Sequence, residues 1–200
     1  VTIGMWIYPD GLQTAPAGLF VNRNSGTVAG LGYYETDRLG YKWNNDAFET
    51  WSFNSGLYIP TNVWSFVAVA VEPTKATLYL YNTNGLQTAV NTATHNNQSW
   101  GGSQANIRIG CDNSVARAFN GMIDEVVVFN RTLTSAEVLQ AAGVPTLSIV
   151  PAGSQLQLTW SFGTLLEATS VTGPWTTNVN TSPYLVTPTG PQKFYRVQAP

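Results

Sequence analysis

The chain has 200 residues, of which only 10% are charged, and its formal net charge is −2. An average soluble domain has roughly 25% charged residues. The composition therefore excludes a nucleic-acid-binding protein, which needs a basic patch to engage phosphates. Apolar residues are frequent, but no apolar run approaches the roughly 20 residues that span a bilayer, and we expect no membrane insertion.

Alternation of apolar and polar residues predicts short β-strands along the first two thirds of the chain. Turn signals separate the strands, such as Pro9-Asp10-Gly11 after the first strand and residues 73–75 inside a predicted hairpin. Many short strands with turns at intervals of about 8–12 residues predict an all-β sandwich or jelly roll. The predicted strands cover residues 2–8, 19–21, 31–34, 39–43, 64–72, 76–82, 105–111 and 119–130.

One short helix is predicted after these strands. Residues 134–137 have the form of a capping box, and good helix formers continue to Ala142 before Gly143 ends the pattern. Beyond this point the pattern is β again. We therefore predict two domains, 1–143 and 147–200. The second is a small β domain with strands at 147–150, 156–160, 165–168 and 193–197.

Three segments of the first domain resemble laminin-G-like, concanavalin-A-like jelly rolls. Residues 2–9 resemble the early strand of that family, residues 64–71 its central strand, and residues 119–137 its closing strand with the short terminal helix. The segments occur in the family's order, and the resemblance covers about residues 1–143. It implies an all-β, antiparallel jelly-roll β-sandwich with one short helix at its end, in an extracellular or cell-surface protein.

The second domain resembles a small β domain that follows such modules in secreted bacterial proteins. The residues that carry this resemblance lie at 158–160, 173–175 and 192–197. The resemblance implies secretion and a fold, and it implies no activity.

Members of the jelly-roll family begin with another strand before the position of Val1. The resemblance therefore implies that the first strand is missing here. A sheet without its outer strand exposes unpaired backbone groups that can pair with another chain. We expect self-association through an open sheet edge at residues 1–8, completed by a neighbouring subunit or by the protein's own C-terminal strand.

The same fold hosts glycoside hydrolases, so catalysis has to be considered. Laminarinase-type members place a nucleophile and an acid on one strand with the spacing Glu-x-Asp-x-x-Glu, and a retaining mechanism requires these two carboxylates to lie about 5–5.5 Å apart. The nearest segment here has Glu35 and Asp37 but Gly40 in place of the acid, and we interpret it as a polar turn. The sole histidine, His95, is interpreted as a solvated loop residue and Cys111 as a small buried one. We predict that the chain is not an enzyme.

Seven tryptophans in a charge-poor chain favour sugar binding. Aromatic planes stack on the apolar faces of sugar rings, and amides and carboxylates bind the hydroxyl groups. We assign Trp6 and Trp64 to packing, because they lie in the core strands of the family. Other aromatic residues lie at strand ends or in loops beside amides or carboxylates, although several of these rings could instead cover the sandwich. The candidate ligand-binding residues are Tyr33, Trp43, Asn44, Asp46, Trp51 and Trp100.

A calcium ion is implied by the resemblance alone. Related jelly rolls hold Ca²⁺ with an aspartate of the closing strand and with loop carbonyl groups. Asp124 occupies the matching position, and Asp10 and Asp112 are the candidates for further ligands. The alternative is that Asp124 is a structural residue that accepts hydrogen bonds.

The sequence therefore favours a non-catalytic extracellular module for carbohydrate binding or adhesion, whose partner is a glycan or a cell-surface polysaccharide. The alternative is a self-assembling structural subunit of an extracellular filament, sheath or surface layer, in which a neighbour completes the open edge. A glycoside hydrolase comes third, and it requires two carboxylates that face each other across a cleft.

Overall fold

A computed structural model describes residues 1–24, 27–43, 53–96, 106–112 and 117–199. The chain forms two compact units, Val1–Val138 and Leu139–Pro200. The predicted domain bounds, 1–143 and 147–200, stay a prediction. The fold is all-β, as predicted, and the paired strands are antiparallel in both units.

The strands of the first unit follow the alternation of the sequence. In chain order they are β1 (Thr2–Pro9), β2 (Ala17–Asn24), β3 (Thr27–Glu35), β4 (Arg38–Lys42), β5 (Ser65–Glu72), β6 (Lys75–Asn82), β7 (Gly85–Asn91), β8 (Asn106–Ile109) and β9 (Gly121–Phe129). All except β7 are confirmed predictions. β7 has few apolar residues and lies at an edge of the sheet, and none of its residues is buried, so burial imposes no alternation on it.

Two antiparallel sheets pack face to face around one core. The order β7-β6-β5-β1-β9 forms a five-stranded sheet, and the order β4-β3-β2-β8 forms a four-stranded sheet. Ile3, Met5 and Ile7 of β1 are 0% exposed and belong to the same core cluster as residues of β2, β3 and β4. Because side chains alternate along a strand, the intervening residues of β1 point to the outer face of the five-stranded sheet.

β1 is an interior strand of the five-stranded sheet. It pairs with β5 on one side and with β9 on the other, along most of its length. The expectation of an open edge at residues 1–8 is therefore wrong, because both hydrogen-bonding sides of β1 are used. Self-association through residues 1–8 loses its physical basis. In the described part of the chain, the edges of this sheet are β7 and β9.

The helix α1 (Ser135–Ala141) begins with the predicted capping box. The backbone N–H of Thr134 donates to Oε2 of Glu137 (2.9 Å), and the backbone N–H of Glu137 donates to Oγ1 of Thr134 (3.4 Å). Gly143 follows the helix with a φ of +71°, which confirms its predicted role as a stop. Among the described residues, no helix is long and apolar enough to cross a membrane.

The segment before α1 lies against one end of the outer face of the five-stranded sheet. Oγ1 of Thr2 donates to the carbonyl of Arg131 (2.9 Å) and accepts from the backbone N–H of Leu133 (2.9 Å). The hydroxyl of Tyr79 donates to the carbonyl of Leu133 (3.3 Å). These bonds fix the segment over the end of the sheet where β1 begins.

The second unit has two three-stranded sheets, β10-β11-β14 and β13-β12-β15. Its core contains Leu158, Trp160 and Leu165. β13 and β14 were not predicted, because strands of two and three residues are too short to show a period. The strands are β10 (Leu147–Ala152), β11 (Gln155–Trp160), β12 (Thr164–Ala168), β13 (Thr176–Thr177), β14 (Tyr184–Val186) and β15 (Phe194–Gln198).

Candidate functional site

The outer face of the five-stranded sheet carries a row of large side chains. Directly paired residues of neighbouring strands point to the same face and lie side by side. The ring of Trp6 contacts the rings of Phe66 and Tyr81 edge-on, with centroid distances of 5.7 and 6.2 Å. Across β9, β1, β5 and β6, the register aligns Asp124, Trp6, Phe66 and Tyr81.

A cleft lies between this row and the next pair of aromatic residues. Tyr8 and Trp64 form that pair, with their ring centroids 5.6 Å apart. Trp64 is 40% exposed, and Trp6 is half-buried. The cleft has a volume of about 290 Å³ and is lined by Trp6, Trp64, Asp124 and Glu125. Its volume is near the lower end of the roughly 300–1,000 Å³ of small-ligand sites.

A β-bulge in β9 brings both carboxylates to this cleft. Consecutive side chains of a regular strand point to opposite faces, so Asp124 and Glu125 would not share one. The register between β9 and β1 shifts between Gly4 and Trp6, and Glu125 has a φ of +47°, which is uncommon for a residue other than glycine. The extra residue lets Val126 pack against the core while both carboxylates line the cleft.

The cleft carries negative charge that no basic side chain offsets. Oδ1 of Asp124 accepts a hydrogen bond from the backbone N–H of Glu125 (2.8 Å). Neither side chain takes part in any salt bridge with another described residue. Two indole rings therefore stand beside two exposed carboxylates. The rings offer apolar planes for stacking, and the carboxylates accept hydrogen bonds from hydroxyl or ammonium groups.

The predicted ligand-binding residues are only partly within the described chain. Tyr33 is 0% exposed, and its ring stacks on Phe119 with 6.0 Å between centroids. Trp43 is 4% exposed, and its indole N–H donates to the carbonyl of Asn96 (2.8 Å). Both belong to the core cluster, so neither ring presents a free face to a sugar. The residues that lie outside the described part of the chain, where the predicted platform stays a prediction, are Asn44, Asp46, Trp51 and Trp100.

The three aspartates considered for Ca²⁺ do not form one site. Oδ2 of Asp112 lies 3.4 Å from Nζ of Lys42 and 3.1 Å from Nη1 of Arg117, so this carboxylate already balances two cations. Asp10 and Asp124 are exposed. Among the described residues, no group of three carboxylate, histidine or cysteine side chains is placed to hold a metal ion. These donors do not fit Ca²⁺, and calcium binding stays a prediction that requires ligands from elsewhere in the chain.

The segment with hydrolase-like spacing forms the predicted turn. Thr36 and Asp37 connect β3 to β4, and Oδ1 of Asp37 accepts a hydrogen bond from the backbone N–H of Gln13 (3.1 Å). Gly40 lies against the ring of Tyr34, where an added Cβ would stand 3.0 Å from Cδ2 of that ring. A longer acidic side chain at this position would have to displace the ring.

His95 is a buried residue, contrary to the interpretation as a solvated loop residue. It is 5% exposed, and its Nε2 lies 2.8 Å from the hydroxyl of Tyr41. Its backbone N–H donates to the carbonyl of Pro73 (2.8 Å). The polar residues around His95 in sequence gave no sign of these distant partners. Cys111, expected to be buried, is half-buried.

The second unit contains a larger cavity of about 560 Å³. The loop 187–193 lines it together with Leu156, Thr169, Val186 and Tyr195. Among the described residues that line this cavity there is no tryptophan, and the one charged residue among them, Lys193, pairs with Glu167 at 3.0 Å. The smaller cleft of the first unit is therefore the better candidate, because it combines two partly exposed indole rings with two carboxylates that form no salt bridge with a described residue.

The assignment of Trp6 and Trp64 to packing is only partly right. Both stand in or next to interior strands, but on the outer face and beside a cleft. The position of Trp6 on the outer face could be predicted from the alternation of residues in β1. Ile3, Met5 and Ile7 define the core face, so period two places Trp6 on the opposite face.

Comparisons with known proteins agree with the fold. Residues 1–139 match the family described as the concanavalin A-like lectin/glucanases superfamily. A comparison with curated proteins found no match. Among solved structures, the chain is similar to domain 4 of AbnA, a GH43 extracellular arabinanase from Geobacillus stearothermophilus, in complex with arabinotriose.

The similarity to that structure has a TM-score of 0.50 at 20% sequence identity, and it concerns the fold alone. It covers 70% of this chain and 65% of the other. The family match, in contrast, includes both sheets, the cleft and the start of α1. This chain belongs to the concanavalin A-like lectin/glucanases superfamily.

Proposed function

We propose that the protein is a carbohydrate-binding module that holds a glycan in the cleft between Trp6 and Trp64. The observation that carries this proposal is the exposed ring of Trp64, which faces the cleft with Trp6 and two carboxylates. Membership of a superfamily of lectins and glucanases supports it. A domain of the same fold is in complex with arabinotriose, which adds support for an oligosaccharide as ligand.

The module acts outside the cell or at the cell surface, with a glycan or surface polysaccharide as its partner. Laminin-G-like folds are typical of extracellular modules, and the chain matches that family. A glycan-binding module of this kind would act in adhesion if the second unit, or further chain beyond it, were attached to a cell or to an enzyme. By binding a polysaccharide, the module would hold the attached cell or enzyme close to that polymer.

Truncation of Trp64 tests the proposal. We expect Trp64→Ala to weaken glycan binding by about tenfold or more, because tryptophans at the centre of a binding site carry a large share of the binding energy. Binding is screened on a glycan array and then measured by calorimetry with the glycans that bind. Tyr58→Ala is the matched control, because Tyr58 is 48% exposed and lies beside Arg38 of the other sheet.

Unchanged affinity of the Trp64→Ala protein would contradict the cleft as the binding site. If Trp51→Ala or Trp100→Ala removed binding instead, the site would be the platform predicted from the sequence. Thermal melts of each variant separate loss of binding from loss of folding. We expect only a small change in Tm for Trp64→Ala, since the contact with Tyr8 contributes about 1 kcal/mol.

The module is also proposed to be non-catalytic. A glycosidase needs two carboxyl groups that flank the scissile bond, and the segment with hydrolase-like spacing has Gly40, packed against the ring of Tyr34, in place of the acid. We expect no new reducing ends when the protein is incubated with the glycans that it binds. Hydrolysis that disappears in Asp124→Asn or Glu125→Gln would overturn this part of the proposal.

Self-assembly is the second candidate function, and one observation favours it. Ile107 and Ile109 of β8 pair with Asn22 and Phe20, so they point to the core side of their sheet, yet they are 50% and 54% exposed. Val128 of β9 pairs with the core residue Ile3 of β1, so it points to the same face, yet it is 52% exposed. An extended strand with apolar residues at every second position would cover these side chains.

The occupant in this second candidate is another copy of the chain, because an edge strand can pair with its own copy around a two-fold axis. Light scattering after size-exclusion chromatography measures the oligomeric state. A dimer or larger species that Ile109→Lys converts to monomers supports assembly. A wild-type monomer at all concentrations rules it out.

A further inference from the structure

The cleft between Trp6 and Trp64 has a charge that selects among glycans. Two of the four described residues that line it are acidic, and neither of the other two is a lysine or an arginine. We propose that its ligand is a glycan that bears protonated primary amines, such as a polymer of glucosamine with free amino groups. This inference rests on the proposed function, and it names the class of sugar that the cleft prefers.

An ammonium group matches each wall of the cleft. It is attracted to the face of an indole ring, with tryptophan the best of the aromatic side chains in this respect. It also donates hydrogen bonds to carboxylates, and these bonds are stronger than those from a neutral hydroxyl group. A neutral sugar uses the stacking planes but gains nothing from the net charge, and a uronic acid is repelled by Asp124 and Glu125.

The backbone at Glu125 is strained where it brings the second carboxylate to the cleft. Glu125 keeps a φ of +47° although glycine would adopt it more readily. Without the bulge, Glu125 would point to the other face, toward the core. Both carboxylates are exposed and neither takes part in a salt bridge with a described residue. Their charge is therefore available to a ligand without breaking an ion pair of the protein.

The expected preference is moderate, because the cleft is open to water. An exposed ion pair and an exposed ammonium–indole contact each change Kd by about twofold to fivefold. Together they predict a preference of about tenfold for an amine-bearing glycan over its acetylated form. Salt screens exposed charges, so the preference shrinks as the ionic strength approaches about 1 M, while the stacking contribution persists.

A matched pair of ligands tests the inference. The first is a β-1,4-linked glucosamine trisaccharide with free amino groups, and the second is its fully N-acetylated form, both measured by calorimetry near pH 6. Asp124→Asn and Glu125→Gln, singly and together, remove the negative charge without changing the shape of the cleft. Glu35→Gln is the control for net charge, because Glu35 is exposed at the end of β3 in the other sheet.

The inference predicts that the wild type binds the free-amine trisaccharide about tenfold more tightly. It also predicts that the double variant loses this preference, because its affinity for the free-amine form falls more than its affinity for the acetylated form, and that Glu35→Gln behaves as the wild type. Equal binding of both ligands by the wild type, with Trp64→Ala weakening both, overturns the inference and leaves the proposed function intact. Failure to bind either trisaccharide or any glycan of the array overturns the proposed function and the inference with it.

Discussion

Replacement of Asp112 by asparagine is expected to destabilise the first unit strongly. The side chain of Asp112 is 0% exposed and lies 3.4 Å from Nζ of Lys42, whose side chain is 1% exposed. The substitution keeps the shape of the side chain but removes a negative charge that lies 3.4 Å from the buried ammonium group. Breaking a buried ion pair by removing one partner costs about 3–5 kcal/mol. The ring of Tyr34, 4.7 Å from Nζ of Lys42, remains in place, so we expect a value near 3 kcal/mol.

Arg117 adds little to this value. Its side chain is 37% exposed and can turn to water when Asp112 loses its charge, and an exposed ion pair contributes about 1 kcal/mol or less. For a unit that spans Val1–Val138, a loss of 1 kcal/mol lowers the Tm by about 3 °C, so Asp112→Asn should lower it by about 10 °C. Thermal melts followed by circular dichroism measure this shift.

Two further variants decide whether the buried charge is the cause. Asp10→Asn makes the same chemical change at an exposed position and should leave the Tm within about 2 °C of the wild type. Lys42→Met combined with Asp112→Asn removes the buried ammonium group together with the carboxylate and should recover part of the loss. A Tm of Asp112→Asn that equals the Tm of Asp10→Asn would refute the reasoning, because Lys42 would then not depend on this carboxylate.

Three other predictions concern single side chains. Glu125→Gly should raise the Tm by about 3 °C in a thermal melt, because glycine adopts a φ of +47° without the cost of about 1–2 kcal/mol that a left-handed L-residue has; a lower Tm would contradict strain at the bulge. The guanidinium of Arg131, with the backbone N–H and hydroxyl of Thr134, lowers the pKa of Glu137 from 4.5 to about 2. Because the pKa of Glu137 is lower in the folded state, its contribution to stability is present above pH 4.5 and is lost as the pH falls towards 2. The Tm should therefore fall more between pH 4.5 and 2 in the wild type than in Glu137→Gln. Parallel curves of Tm against pH for the two proteins would contradict this. Burial raises the pKa of Tyr33, whose buried hydroxyl has no hydrogen-bond partner among the described residues, so Tyr33→Phe should leave the Tm unchanged or raise it by a few degrees and leave glycan binding intact; lost binding would place Tyr33 in the site.

The strands of the sandwich core could be predicted from the sequence because burial on one face imposes period two. In β1, Ile3, Met5 and Ile7 alternate with residues of the outer face, and the pattern is visible without a structure. β7 shows the limit of this signal. It is an edge strand without a buried residue, so its pairing with β6 rests on backbone hydrogen bonds that any residue can make.

Contacts between distant parts of the chain could not be predicted in the same way. Lys42 reads as a polar residue at the end of a strand, and its partner Asp112 lies 70 residues further along the chain. His95 lies in a polar segment, and its partner Tyr41 lies 54 residues earlier in the chain. These buried polar groups pair with specific side chains from distant parts of the chain, and a single sequence contains no period or spacing that identifies such partners.

One part of the candidate site could be predicted from the alternation of residues, and the other part could not. Alternation in β1 places Trp6 on the outer face, so the aromatic part of the cleft follows from the sequence once the core face is known. Alternation in β9 predicts the opposite of what is found for Asp124 and Glu125, because consecutive residues should diverge. The register shift beside Glu125 makes them converge. Without the bulge, a strand of the same composition would leave both tryptophans and Asp124 at the cleft but would turn Glu125 away from it. The stacking surface and the charge preference of this cleft therefore have separate physical origins and can be changed independently.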